Sequence, residues 1–282
     1  MDKKLITIYQ KRIFTLDDLK HKSYAQKKNA IQRYKKQGLI KVIKPGLYYI
    51  LPLDDPNYSP SPIHVASLLT KNAYFKGKAA LFLHHLGHIP KAPDAIELAA
   101  KARHTFKLGK YIIKTKPSKL GDLGVIEKPI YIPPHQVISI LFTDLERTFL
   151  EVIRTIKTIP ALDSFLVLLP KMPLNPVKVL EYLKKYKKKV LYAKAGLLLD
   201  ILSKSRPISE EQLTPIRKGV PKKTYYLVSR GRWQLTNKFK YVRKWNLMVP
   251  STVYGLQDWK LPEKASKKPN TATTEQPSQN ST

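Results

Sequence analysis

Four polar or cationic side chains lie close together near the amino terminus and have the chemistry to contact DNA. They are Gln26, Lys27, Gln32 and Arg33. Glutamine amides donate and accept hydrogen bonds at base edges, and lysine and arginine neutralise phosphates. A helix that exposes such residues on one face can enter the major groove of duplex DNA. The alternative is a basic helix that packs on a neighbouring element, with lysines that serve only solubility.

The segment around these residues has the start and stop signals of two helices. Thr15 is placed to cap a short first helix, and the polar residues 21–23 follow as a break. A second helix is predicted over residues 24–37, ending at Gly38 as a glycine C-cap would end it. The inward face of the second helix is predicted to hold Ala30, Ile31 and Tyr34.

The chain then changes to the periodicity of strands. Residues 39–44 and 47–51 are β-rich and are joined by Pro45-Gly46, the pair that a type II turn favours. The predicted phosphate contacts of this hairpin are Lys41 and Lys44. Two helices followed by a basic hairpin predict a winged helix-turn-helix.

The charge of the whole chain points in the same direction. Its 282 residues include 52 lysines and arginines against 20 aspartates and glutamates, a formal net charge of +32. Such an imbalance repels itself unless a polyanion is near, and nucleic acid is the leading candidate. An anionic membrane surface is the second candidate, but no segment has the pattern of an amphipathic anchor.

The composition also bounds the location of the protein. There is no cysteine, which excludes disulfides and thiolate metal sites and fits a reducing compartment. No apolar run approaches the roughly 20 residues of a membrane span. The first twelve residues lack a signal-peptide core and are predicted to form a helix instead. A cytoplasmic protein without a membrane partner is therefore expected.

Shifts in composition predict an α+β fold in four segments. The winged helix-turn-helix occupies residues 1–54, followed by a mixed α/β middle segment at 55–142, a mainly helical C-terminal domain with closing strands at 143–261, and a tail at 262–282. The proline-punctuated stretch 54–62 marks the first boundary. The tail consists largely of Lys, Pro, Asn, Thr, Ser and Gln, a composition typical of disorder.

Local patterns place further elements in the two larger segments. Helices are predicted at 63–70, 78–86, 148–156, 164–169, 176–188 and 192–203, with one more short helix after Ser209. Strands are predicted at 95–100, 111–116, 129–132, 225–229, 234–236 and 245–249. Thr143 and Glu146 have the spacing of a capping box. Gly196 is expected to allow close packing of its helix.

Two other clusters contain side chains that could carry chemistry. His84 and His88 have the i, i+4 spacing of metal ligands, with His85 between them, but no third ligand is evident and helix-end hydrogen bonding is the simpler interpretation. Asp94 and Glu97 resemble the acidic pair of a restriction-type nuclease, yet Ala99 stands where a lysine would be needed. No phosphate loop or nucleophile elbow is present. No catalytic residue, metal or cofactor is therefore predicted.

Two charged runs have structural explanations beside functional ones. The acids in residues 144–147 suit a helix start, with Arg147 bound to a neighbouring carboxylate. A basic run around Tyr182 and Tyr186 is either a solvated helix face or a patch for RNA or an acidic partner. Its members are Lys184, Lys185, Lys187, Lys188 and Lys189.

The order of several short motifs resembles the AbiEi-type abortive-infection antitoxins, which are also described as transcriptional regulators of viral defence systems. The motifs are Gly38-Leu39-Ile40, Lys44-Pro45-Gly46-Leu47-Tyr48, Ala79-Ala80-Leu81 with His85 and Leu86-Gly87, Asp144-Leu145-Glu146-Arg147-Thr148, Ala195-Gly196-Leu197-Leu198-Leu199 and Lys244-Trp245-Asn246-Leu247. The resemblance covers residues 10–250. Pro250 stands where the family often has asparagine.

The resemblance implies a non-enzymatic autorepressor and antitoxin. In such type IV toxin-antitoxin systems the winged helix binds inverted repeats upstream of a two-gene operon, and the C-terminal domain opposes a nucleotidyltransferase-like toxin encoded next door. An alternative mechanism is that the basic C-terminal half of this chain competes for the RNA substrate of the toxin instead of contacting the toxin. Two other functions remain open, a stand-alone winged-helix regulator without a toxin and a divergent nuclease that uses Asp94 and Glu97.

Overall fold

A computed structural model describes residues 11–19, 23–52, 55, 58–84, 94–132, 136–228, 239–251 and 253 as a mixed α and β fold with three sheets. Predictions that fall elsewhere lie outside the described residues. They include most of the helix predicted over residues 1–12, the strand at 234–236, the tail, and His85 and His88. No helix in the described part of the chain has both the length and the apolar character that crossing a membrane requires.

The amino-terminal unit is one helix on a small antiparallel sheet. Its elements are β1 (Ile13–Thr15), a 3-10 turn (Leu16–Asp18), α1 (Tyr24–Lys36), β2 (Ile40–Lys44) and β3 (Leu47–Ile50). The strand order is β1-β3-β2. The predicted first helix is only the 3-10 turn, which Asp18 closes by accepting hydrogen bonds from the backbone N–H and the hydroxyl of Thr15. Strand β1 was not predicted, since three residues are too few to show a period of two.

The middle segment is built on a six-stranded mixed sheet. Its strands are β4 (Tyr74–Phe75), β5 (Ala95–Ala99), β6 (His104–Leu108), β7 (Tyr111–Lys116), β8 (Val125–Ile132) and β9 (Gln136–Thr143), in the order β6-β7-β5-β4-β9-β8. The helices α2 (Pro62–Leu69) and α3 (Lys78–Leu83) belong to the same segment. Sequence reasoning found β5, β7 and part of β8 but missed β6 and β9. Strand β6 is an edge strand with little burial, and the apolar run in β9 has no decisive period.

The C-terminal segment is mainly helical, as predicted. Its helices are α4 (Leu145–Thr155), α5 (Ile159–Leu168), α6 (Pro176–Tyr186), α7 (Lys189–Leu202) and α8 (Glu210–Lys218). The closing sheet has strands β10 (Tyr225–Tyr226), β11 (Phe239–Val242) and β12 (Leu247–Pro250), with β12 in the centre. Helix α7 is buried along much of its length because its sequence is almost wholly apolar.

Gly196 of α7 allows close packing, as its sequence suggested, but the partner is an aromatic ring rather than a helix. A methyl group at this position would overlap the six-membered ring of Trp245. Trp245 is fully buried, and its indole N–H donates to Asp200 of the same helix over 2.8 Å. The absence of a side chain at Gly196 therefore fixes how the closing sheet lies on α7.

The start of α4 joins the middle sheet to the helical segment. Asp144 caps the helix by accepting a hydrogen bond from the backbone N–H of Arg147 over 2.9 Å. The predicted capping box of Thr143 with Glu146 is wrong. The hydroxyl of Thr143 instead bonds to Thr148, and a Glu146 carboxylate oxygen accepts from the backbone N–H of Asn175. Asp144 is a better cap than Thr143 because its negatively charged carboxylate lies at the positive end of the helix dipole.

Arg147 is the centre of this junction and has no exposed surface. Its guanidinium donates to the carboxylate of Glu151 over 3.2 Å and to the hydroxyls of Tyr74 and Ser118 over 2.7 and 2.9 Å. Two further bonds reach the carbonyl oxygens of Gly121 and Leu123. Every N–H of the guanidinium is thus used, and the predicted pairing of Arg147 with a neighbouring carboxylate is confirmed.

Candidate nucleic-acid interface

Helix α1 begins and ends where local chemistry dictates. The hydroxyl of Ser23 accepts from the backbone N–H of Gln26 over 3.2 Å, and the side-chain oxygen of Gln26 accepts from the backbone N–H of Ser23 over 3.3 Å. This capping box satisfies two amides that the first turn would leave without partners. At the other end Gly38 has φ +70, which lets the chain reverse into β2. The predicted bounds of the helix are confirmed to within one residue.

The inward face of α1 is apolar and fully committed to packing. Ala30, Ile31 and Tyr34 are buried, as predicted. They belong to one hydrophobic cluster with residues of the turn and the three strands, namely Phe14, Leu19, Ile40 and Ile50. Because this face holds the helix on its sheet, the opposite face is turned to solvent.

The outward face presents three of the four side chains that were singled out in this helix. Gln26, Gln32 and Arg33 are exposed. The guanidinium of Arg33 lies 5.2 Å from the centre of the Tyr34 ring, which supports its planar group at the helix surface. Lys27 departs from this set. It is one turn before Ile31, on the inward stripe, and is half-buried.

Sequence reasoning missed other residues of the same outward face. Lys28, Asn29, Lys35 and Lys36 are exposed as well. A helical wheel at 100° per residue places Asn29 and Gln32 together at the middle of that face, three positions apart. The helix as a whole holds five lysines and arginines and no carboxylate. Its exposed surface therefore combines amide groups with positive charge, and the helix supplies no carboxylate of its own.

The hairpin of β2 and β3 has the predicted bounds and turn. Gly46 has φ +84, the value that the third residue of a type II turn requires. Lys41 is exposed and lies opposite Tyr49 in the ladder. Lys44 is half-buried, and its ammonium group donates to the carbonyl oxygen of Leu69 over 2.9 Å. Since Leu69 ends α2, this bond ties the hairpin to the middle segment.

A groove of about 530 Å³ separates the start of α1 from the turn of the hairpin. Lys27 and Lys44 line it on opposite sides, and Asp17 of the 3-10 turn contributes one carboxylate. Tyr24 stands at its edge with 63% of its surface exposed. The structure thus brings Lys27 and Lys44 to one concave surface, while Gln26, Gln32 and Arg33 lie on the convex face of the helix.

The other clusters singled out in the sequence have structural roles. The ring of His84 bonds to the carbonyl oxygen of Thr143 over 2.9 Å and meets Phe142 edge-on, and burial lowers its pKa. Glu97 forms an ion pair with Lys116 at 3.0 Å, and Asp94 is exposed. Within the described residues, no three His, Asp or Glu side chains come together as a metal site would require.

The basic run at the end of α6 and the start of α7 is a solvated surface in the structure. Its five lysines are exposed, but Tyr182 and Tyr186 are buried. Tyr182 donates to Asp144 and Tyr186 donates to Glu151, so both rings are buried at the junction around Arg147. Without exposed aromatic rings this surface lacks the stacking platform that single-stranded nucleic acid uses. The outward face of α1 and the adjoining hairpin therefore form the candidate interface.

Comparison with protein families and with curated proteins identifies no relative of this chain. No protein-family model matches the chain, and no curated protein matches it either.

Proposed function

We propose that this protein is a DNA-binding transcriptional repressor whose residues 11–52 act as a winged helix-turn-helix. The observation that carries the proposal is the exposed, acid-free face of α1 beside a basic hairpin. Residues 11–52 hold eleven lysines and arginines against two aspartates. Binding of such a surface to duplex DNA is favourable because it releases the counterions that were condensed around the phosphates.

The exposed residues divide into two chemical roles. Gln32 and Asn29 lie at the centre of the outward face and offer amides, which form paired hydrogen bonds with adenine in the major groove. Arg33 and Lys41 lie at its flank and on the hairpin, where they would meet phosphates. The amine of Lys44 is already bonded to Leu69, so its first role is to hold the hairpin beside the helix.

Salt dependence separates these roles in one experiment. Fluorescence anisotropy measures the affinity of the full chain for a duplex from upstream of its own gene, across a range of salt concentrations. Each lost phosphate contact should reduce the slope of log K against log salt by about 0.9. Arg33→Gln and Lys41→Met should each produce that loss. Lys110→Met, in the exposed turn between β6 and β7, is the matched control and should leave the slope unchanged.

The amide positions should respond differently from the cations. Gln32→Ala and Asn29→Ala should each weaken binding to the operator by about 1–3 kcal/mol, since one base contact is lost. Binding to a scrambled duplex and the salt slope should stay the same. If all four interface variants bind the operator with the affinity and slope of the wild type, this surface does not bind DNA.

The resemblance to AbiEi-type antitoxins extends the proposal to the rest of the chain. We infer that the C-terminal segment counteracts a nucleotidyltransferase-like toxin that an adjacent gene encodes. It would do so in the cytoplasm, without catalysing a reaction. Co-expression with the product of the adjacent gene tests this directly. Rescue of growth together with co-purification supports a toxin complex, and rescue without a complex favours competition for the RNA substrate. Absence of a toxic neighbour leaves a stand-alone regulator.

A further inference from the structure

The middle segment contains a cavity that the proposed DNA interface does not use. It lies where the loop after β4 meets α4 and has a volume of about 240 Å³. Lys76, Lys78 and Arg154 line it together with Glu97 and Glu151. Three cations and two carboxylates thus line one partly open cavity.

The two carboxylates are already engaged by other groups. Glu151 accepts hydrogen bonds from Arg147, Tyr186 and the backbone N–H of Gly77. Glu97 is paired with Lys116 at 3.0 Å. Neither carboxylate lies within ion-pair distance of a cation of the cavity, although both carboxylates act on Lys76 through space.

The three cations have no such partners. Within the described chain, no carboxylate lies within ion-pair distance of Lys76, Lys78 or Arg154. Lys76 has only 4% of its surface exposed, and no described residue accepts a hydrogen bond from its amine. Burial of this amine lowers its pKa from the ordinary value to about 8, although Glu151 opposes the shift. The side chain of Lys76 lines the cavity, and an anion bound beside its amine would stabilise the charged form.

We propose that this cavity binds a phosphate group, either as free phosphate or as part of a nucleotide. A phosphate monoester carries nearly two negative charges at neutral pH and has three strong acceptor oxygens. It therefore matches three cationic donors better than a carboxylate, which brings one charge and two oxygens. The half-buried Arg154 adds planar donors suited to phosphate, and the exposed Lys78 stands at the entrance.

Calorimetric titration of the full chain tests the site with two probes, inorganic phosphate and AMP, at constant ionic strength maintained with chloride. Lys76→Met and Lys78→Gln should each weaken phosphate binding by about 10-fold or more, since each removes one charged hydrogen bond. Lys71→Met, an exposed lysine five residues earlier, is the matched control and should bind as the wild type does. Arg33→Gln should also bind normally, which separates this cavity from the proposed DNA interface.

The two probes identify the source of the phosphate group. Tighter binding of AMP than of phosphate, lost in the same variants, indicates a nucleotide site, and equal binding indicates a site for the anion alone. A measurement on the unaltered protein guards against misfolded variants. Phosphate should protect Lys76 from acetic anhydride in peptide mass spectrometry, while Lys71 stays reactive. The site does not exist if phosphate fails to bind the wild type, if it binds every variant as tightly as the wild type, or if it leaves Lys76 unprotected.

Discussion

Replacement of Arg147 by methionine should cost this protein a large share of its stability. The substitution keeps an unbranched side chain, although a shorter one, and removes every N–H donor of the guanidinium. Five hydrogen bonds are lost at once, two of them to carbonyl oxygens of the loop before β8. Glu151 would also lose its only ion-pair partner among the described residues. Breaking a buried pair in this way costs about 3–5 kcal/mol.

That loss should be visible against the total stability of the protein. Native proteins are stable by about 5–15 kcal/mol, so Arg147→Met should shift the urea midpoint strongly, as followed by circular dichroism. Arg147→Lys retains a charge but not the fork of donors, and it should recover only part of the loss. Arg217→Met is the control, because its ion pair with Glu210 is exposed and contributes little.

The comparison of the two methionine variants decides whether the junction acts as described. If Arg147→Met unfolds at the same urea concentration as Arg217→Met, the buried network does not hold the middle sheet to the helices. A loss confined to one of two separate unfolding transitions would instead show that the network stabilises a single segment.

Two further substitutions test the packing and the titration of the core. Gly196→Ala should destabilise the protein by about 1–3 kcal/mol, because the new methyl group must displace the Trp245 ring; a thermal midpoint equal to that of the wild type would contradict this packing. Burial lowers the pKa of His64 to about 4. Below its ordinary pKa of 6.5 this histidine binds a proton in the unfolded chain, but in the folded protein it stays neutral until about pH 4. The free energy of unfolding therefore decreases as pH falls from 6.5 towards 4. The full effect is about 3 kcal/mol. His64→Leu should remove this share of the pH dependence, and unfolding free energies measured between pH 4 and pH 7.5 check it; an unchanged slope would show that His64 does not titrate in this window.

The sequence was most informative where a local signal decides the structure. The bounds of α1 follow from the serine cap and Gly38, and the turn of the hairpin follows from Pro45-Gly46, because these residues act on their own neighbours. The same holds for α8, the short helix predicted after Ser209, which begins with a capping box of Ser209 and Gln212. Such elements need no knowledge of the rest of the chain.

Features that depend on distant residues could not be predicted from the sequence. Nothing near Lys44 shows that its amine will bond to Leu69, 25 positions later. The cavity around Lys76 is likewise made by residues from β5 and α4, and only the folded chain brings them together. Lys27 is a different case. Its position one turn before Ile31 already places it on the inward stripe, so a helical wheel would have separated it from Gln32 and Arg33.

Most carboxylates that form ion pairs within the described residues belong to the middle and C-terminal segments. Seven carboxylates form ion pairs within the described residues, namely Asp18, Glu97, Asp144, Glu146, Glu151, Asp200 and Glu210. All but Asp18 belong to the middle and C-terminal segments, and four serve the junctions of α4 and α7. These carboxylates hold helices and sheets in place. Helix α1 contains no carboxylate, and its exposed Lys28, Lys35 and Lys36 form no ion pair within the described residues. Under the proposed function, these lysines are therefore available to the phosphates of DNA.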